Sequence, residues 1–227
     1  MTGNVKFDHD SPTMTEAERL ELRRELHLIP GDKVWVAGST HQGEGATVLD
    51  VFARLLLQVP ELRLIIAPRR LEEALEIYRT AEAKGLTPAL KTKISSMPTA
   101  YRVLILDTMG ELRKLYGIAC VSFVGGSLLP FGGHNLLEPA SFGHPVLFGP
   151  HTQDFDLMSE LLIEAGGGIR VRDEEELFVN LRALLKDQEK RDQMGMKAKA
   201  FVEMNKGALK RVMDHLRVYL QNDTERF

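Results

Sequence analysis

The sequence is short of several things, and each shortage removes a class of function. It holds a single cysteine, Cys120, so no intramolecular disulfide can form and a reducing compartment suits it. Cys120 lies in the apolar run 118–124, which reads as a buried structural thiol and not as a nucleophile. No apolar stretch approaches the roughly 20 residues of a membrane span, and the polar start over residues 1–8 has no secretory-signal pattern, so the chain as given reads as soluble. Basic residues are not in excess: 29 Lys plus Arg stand against 32 Asp plus Glu, a net charge of -3. That balance gives no general attraction for nucleic acid or anionic lipid, and any anion site has to be local. Neither a His-Glu-x-x-His pair nor a cysteine cluster is present, and no metal site is expected.

What remains is ordinary for a globular protein. Hydrophobic residues make up 44% and charged residues 27% of 227, enough to bury the core of one large domain. Short apolar runs at 33–37, 62–67, 102–106, 118–124, 145–148 and 168–171 read as strands, with a weaker one near 89–94. Between them, three-and-four spacing of apolar residues predicts helices at 15–26, 46–58, 71–84, 109–116, 135–142, 155–165 and 174–186. This alternation predicts an α/β fold, a Rossmann-like doubly wound parallel sheet covered on both faces. Two further helices, at about 189–204 and 206–222, have no strand after them and are expected to pack outside the sheet. The expected organisation is a lead-in segment over 1–14, a Rossmann-like domain over 15–187 and C-terminal helices over 188–227.

In such a sheet, ligands bind beyond the carboxyl ends of the strands, so the segments after each strand carry the chemistry. The first strand runs into Gly38-Ser39-Thr40-His41-Gln42-Gly43-Glu44-Gly45, which is either a phosphate-approaching turn before a helix or a plain tight turn. The second ends in Ala67-Pro68-Arg69-Arg70; Arg grips phosphate bidentately, although an exposed Arg pair also caps helices. After 102–106 come Asp107-Thr108-Met109-Gly110-Glu111, where Asp107 or Thr108 is expected to cap the next helix and Gly110 leaves room for a planar base. The richest stretch, 125–139, carries Gly126, Gly133, His134, Asn135 and Glu138. A helix pointing its N-terminus into the crevice there favours an anion, and Glu138 can accept from ribose hydroxyls. Residues 148–155 add a further wall. His134 and His151 read first as hydrogen-bonded structural histidines, with a catalytic base as the less common alternative.

At these residues the chain resembles the 3-deoxy-D-manno-octulosonic acid (Kdo) transferases, inverting glycosyltransferases of the two-domain GT-B architecture that move Kdo from CMP-Kdo to lipid A precursors. The matching pieces are residues 2–8, 38–41, 67–69, 107–112 and 125–140, in the family's order. The resemblance implies the C-terminal, donor-binding half, with the catalytic base, the lipid A precursor site and the membrane anchor in a missing N-terminal domain. It places the intact enzyme on the cytoplasmic face of the inner membrane, and it implies no catalytic residue in this chain. It implies a donor site of Ser39, Pro68, Arg69, Met109, Gly110, Glu111, Gly126, Gly133, His134, Asn135 and Glu138. Within it, Arg69 holds the CMP phosphate and Asn135 reaches it from the helix start. The Met109-Gly110-Glu111 backbone meets cytosine or ribose, and Glu138 binds the ribose hydroxyls. CMP-Kdo is then a substrate and no cofactor is needed. Gln42 and Gly45 stand where the family often has acidic residues, and Arg70 where histidine is common. The competing expectations are a UDP-sugar domain of another GT-B transferase or epimerase, a non-catalytic nucleotide module, and a bare scaffold.

Overall fold

A computed structural model describes residues 14–96 and 101–205. The elements are α1 (Glu16–Glu25), β1 (Lys33–Thr40), α2 (Glu44–Leu56), β2 (Leu62–Pro68), α3 (Ala74–Ala83), β3 (Pro88–Leu90), β4 (Val103–Ile105), α4 (Leu112–Tyr116), β5 (Val121–Val124), α5 (Leu137–Ser141), β6 (Val146–Phe148), α6 (Asp156–Glu164), β7 (Gly168–Arg170), α7 (Glu174–Lys186) and α8 (Gln188–Asn205). All strand pairings are parallel, in the order β3-β4-β2-β1-β5-β6-β7. The α/β doubly wound class is therefore the observed one.

The two-residue strand period divides the core. On β1, Trp35 and Ala37 face a cluster built with Val48, Phe52 and Leu55 of α2 and Leu177, Leu181 and Leu184 of α7. Val34 and Val36 face the opposite cluster, with Leu26, Leu115 and Tyr116. A third cluster joins Val124, Val146 and Phe148 to α5, α6 and α8. Burial on both faces is what a parallel sheet needs, and it explains why these strands read as unbroken apolar runs. Helix α1 begins with a capping box, in which the Thr15 hydroxyl accepts from the Glu18 amide at 3.2 Å and the Glu18 carboxylate accepts from the Thr15 amide at 2.7 Å.

Several boundaries differ from the sequence reading. The weak strand near 89–94 is β3 over Pro88–Leu90, followed by a 3-10 turn over Lys91–Ser96. Helix α4 starts at Leu112 and α5 at Leu137, later than the periodicity predicts. Helix α8 matches the first C-terminal helix, while the second one predicted, at 206–222, and residues 1–13 of the lead-in lie outside the described residues. No described helix is long and apolar enough to cross a membrane.

The chain winds from β1 outward through β2 to β4 and β3, then returns to β5, β6 and β7 on the other side. The direction of winding reverses between β1 and β5, which opens a crevice above their carboxyl ends.

Candidate functional site

The crevice is built on a backbone irregularity. The β1–β2 register shifts between Gly38 and Thr40, and Ser39, at the bulge, has φ of +55°. That left-handed backbone is costly for a non-glycine residue and is typical of functional sites. Across the switch point, a Cβ on Gly125 would lie 2.6 Å from the Thr40 Cα, so only glycine lets the ends of β1 and β5 touch. Gly126 and Gly133 take φ of +66° and +82°, and the Gly133 amide donates to the Gly126 carbonyl at 2.7 Å, closing the loop on itself.

Glu44, the first residue of α2, organises this loop. Its carboxylate is 1% exposed and accepts from the amides of His41 (2.9 Å), Gly126 (2.6 Å), Ser127 (3.0 Å) and Leu128 (2.9 Å). The sequence reading offered these glycine-rich amides to a ligand anion; the protein's own carboxylate occupies them. Ser127 extends the stitching, donating to the Val124 carbonyl at 2.5 Å and accepting from the Gly149 amide at 2.8 Å, which ties the ends of β5 and β6.

Two imidazoles meet above Glu44. His41 Nε2 and His134 Nε2 are 2.8 Å apart, and Phe131 stacks on His41 with ring centroids 4.3 Å apart. Desolvation is the main cause holding both histidines below their ordinary pKa, and the positive charge of Arg69 adds to it. Arg69 itself is exposed just past β2, its amide anchored on the Thr40 carbonyl at 2.8 Å. Among the described residues its guanidinium has no hydrogen-bond or ion-pair partner, which leaves it free for an anion. Pro68 is the last residue of β2, in register with Thr40.

On the far side of β2, Met109 is 68% exposed and Gly110 has φ of +83° with open space where a Cβ would point. Glu111 accepts from the Thr108 hydroxyl and pairs with Lys91 at 3.7 Å. The expected cap of α4 is not made: Asp107 instead accepts from the Thr92 amide at 2.9 Å and hydroxyl at 2.5 Å, holding the segment after β3 to the one after β4. Asn135 precedes α5, and its Oδ1 accepts from the Leu137 amide at 3.0 Å. Glu138 is half-buried in the first turn of α5, without a hydrogen-bond or ion-pair partner for its carboxylate among the described residues. Its charge reaches Tyr116, whose hydroxyl lies 2.0 Å from where a Gly38 Cβ would be.

The predicted residues thus line one edge of the sheet, with Arg69, His134, Asn135, Glu138 and Ser39 about the switch point and Met109 to Glu111 two strands away. Sequence reasoning missed Glu44, Ser127 and the partnership of His41 with His134. A clue to Glu44 was present, since an acidic residue opening a helix directly after a glycine-rich turn is placed to collect nearby amides. Among the described residues no group of three or more His, Cys, Asp or Glu is arranged to hold a metal. A groove of about 660 Å³ lies elsewhere, between α1, α4 and Phe142, and its walls set Glu18, Glu21 and Glu25 against Arg113 and Lys114, beside apolar Met14, Leu22 and Phe142. Carboxylates outnumber cations there, which disfavours a phosphate.

No family model matches the chain. A 3-deoxy-D-manno-octulosonic acid transferase of Haemophilus influenzae is 34% identical over 227 residues, 98% of this chain and 52% of that protein. The transferase of Chlamydia muridarum is 35% identical over 92% of this chain and 46% of its own length. Among solved structures, the C-terminal CMP-Kdo binding domain of WaaA from Acinetobacter baumannii superposes with a TM-score of 0.75 at 27% identity, covering 82% of this chain and 96% of that one. The chain belongs to the Kdo transferase family. It spans about half the length of the Kdo transferases it matches, and the half is the C-terminal one. A more distant likeness, to Anabaena HepE solved with UDP and glucose, has a TM-score of 0.66 at 16% identity and speaks for the fold alone.

Proposed function

We propose that this chain is the CMP-Kdo-binding half of a Kdo transferase that acts in lipopolysaccharide biosynthesis. The observation that carries the reading is the switch-point edge itself, where the guanidinium of Arg69 and the carboxylate of Glu138, without partners among the described residues, flank a loop locked by Glu44. A cation for phosphate and an acceptor for sugar hydroxyls are the two chemistries a nucleoside monophosphate requires. The likeness to a CMP-Kdo binding domain supports the same assignment.

In this reading Arg69 holds the phosphate, and Asn135, its Oδ1 already engaged by Leu137, offers its amide NH2 to the same group. Glu138 binds the ribose hydroxyls. The open backbone at Met109, Gly110 and Glu111 gives the flat base a surface to lie on. Ser39, Pro68, Gly126, Gly133 and His134 shape the walls. The N-terminal half supplies the acceptor site for the lipid A precursor and the base, and the intact protein works on the cytoplasmic face of the inner membrane. The base takes the proton of the acceptor hydroxyl, the new bond forms at the anomeric carbon, and the bond to the phosphate oxygen breaks. Arg69 stabilises the charge that gathers on departing CMP.

Thermal unfolding with CMP or UDP tests the donor. A ligand of the native state raises the melting temperature with its concentration; CMP is expected to do so, and UDP alone doing so would replace the reading with a UDP-sugar domain.

A further inference from the structure

The imidazoles of His41 and His134 are locked together. With Nε2 atoms 2.8 Å apart and rings stacked at 15°, one nitrogen donates and the other accepts, so a single proton lies between them. The neutral pair meets this requirement. A pair with one extra proton meets it too, because that proton goes onto Nδ1 of the donating ring and leaves the Nε2–H···Nε2 bridge intact. Two extra protons place a hydrogen on both facing nitrogens, and the bridge breaks. While it holds together, the pair carries a charge of zero or one.

Its surroundings make that charge responsive to a ligand. Arg69 and Arg70, at the end of β2, and Glu44, from α2, act on His41; Arg69, Glu44 and Asp154, the last from the 3-10 turn after β6, act on His134. Glu44 is engaged by loop amides. Arg69 is the exposed cation that acts on both rings, and its field is the one a ligand anion would cancel.

We propose that the His41–His134 pair is a proton-coupled anion contact of the donor site, taking up a proton when an anion settles on Arg69. The inference rests on the donor-binding reading above. Cancelling the field of Arg69 raises the proton affinity of both rings, and by linkage proton and anion favour each other equally. The free pair titrates below the ordinary histidine value, because desolvation and then the neighbouring cations disfavour the charged form. The anion-bound pair titrates higher. Donor affinity is therefore flat at high pH, rises as the pH falls between the two midpoints, and levels off below them. One coupled proton limits the rise to about tenfold per pH unit.

Calorimetry near pH 6, about where histidine titrates, in two buffers of different ionisation heat counts the protons taken up. The methyl ester of cytidine 5′-monophosphate is the first ligand, since a phosphodiester keeps one charge throughout this range. Its glycolate ester, which adds a carboxylate, is the second. Uptake of a fraction of a proton with the methyl ester supports the inference with phosphate as the coupled anion; uptake with the glycolate ester alone supports it with the sugar-acid carboxylate in that place. The uptake is expected to vanish in a His41→Gln/His134→Gln double variant. Should that variant fail to fold, nitrogen NMR of the wild-type imidazoles gives the same reading, with ligand moving them toward the protonated form. Binding without uptake or imidazole change overturns this inference alone. Absence of binding by either ligand at any pH overturns the donor reading, and the inference with it.

Discussion

The two ends of the sheet each bury a charged cluster, and they are finished differently. At the amino edge, Arg63 donates from Nε to Asp32 at 3.0 Å and from Nη1 to the Tyr101 carbonyl, the Ile29 amide donates to Asp32 at 2.9 Å, and the Tyr101 hydroxyl donates to the Leu26 carbonyl at 2.5 Å. Each charge there is met by a neighbour. At the carboxyl edge Glu44 is saturated in the same manner, yet Arg69 and Glu138 above it have no such partner among the described residues. Satisfied groups hold a structure in place, and groups left open on a rigid base are the ones available to a ligand.

Substitutions can separate the two roles. Glu44→Ala is expected to have the largest effect, because it abandons several buried amides at once. A loss of about 4 kcal/mol of stability, at roughly 1–3 kcal/mol per orphaned group, should come with a hundredfold or greater loss of CMP affinity, read by urea unfolding and calorimetry. An acid-sensitive effect comes next. His144 is buried against Ser122 at 2.6 Å, just before β6, and desolvation pushes its pKa down to about 3. The folded state therefore resists a proton that the unfolded chain accepts near 6.5. Its contribution is fully present above that value and is lost as pH falls from there toward 3, at about 1.4 kcal/mol per unit. His144→Gln should flatten this slope in urea titrations, and an unchanged slope would remove His144 from the account.

Truncating the closed cluster by Arg63→Ala should cost about 3 kcal/mol through the charge left on Asp32, with CMP affinity of the folded protein unchanged. Weakened CMP binding there would mean that the two edges are coupled and the comparison is wrong. Arg69→Ala should give the reverse, a stability change within about 0.5 kcal/mol and a thirtyfold or so loss of CMP affinity, since a charge-assisted bond is worth roughly 2 kcal/mol. The smallest effect is expected from Glu138→Ala, about tenfold in affinity, tested against cytidine monophosphates with and without ribose hydroxyls. Equal loss for both ligands would take the hydroxyls away from Glu138.

The fold was legible because strands buried on both faces leave continuous apolar runs, and the helices between them keep one apolar stripe. Three-residue β3, at the sheet's edge, left too little pattern to bound. The starts of α4 and α5 were drawn early because the apolar spacing runs back through Met109 and Leu136, and the cap expected for α4 is not made, since Asp107 meets Thr92 and Thr108 meets Glu111. The edge where Arg69, Gly126 and Glu138 gather was readable from strand-end placement. What makes it rigid was not. Glu44 meets Gly126 across 82 residues and His41 meets His134 across 93, and no local spacing encodes such pairings.

The central claim is that the edge above β1 and β5 is the nucleotide seat. The most direct measurement is amide NMR of the isotope-labelled chain during a CMP titration. The account predicts saturable shifts confined to the segments after β1, β2, β4 and β5, including Ser39, Arg69, Gly110 and Gly126. Shifts centred on the amino edge around Asp32 and Arg63, or in the groove beside α1, would contradict it.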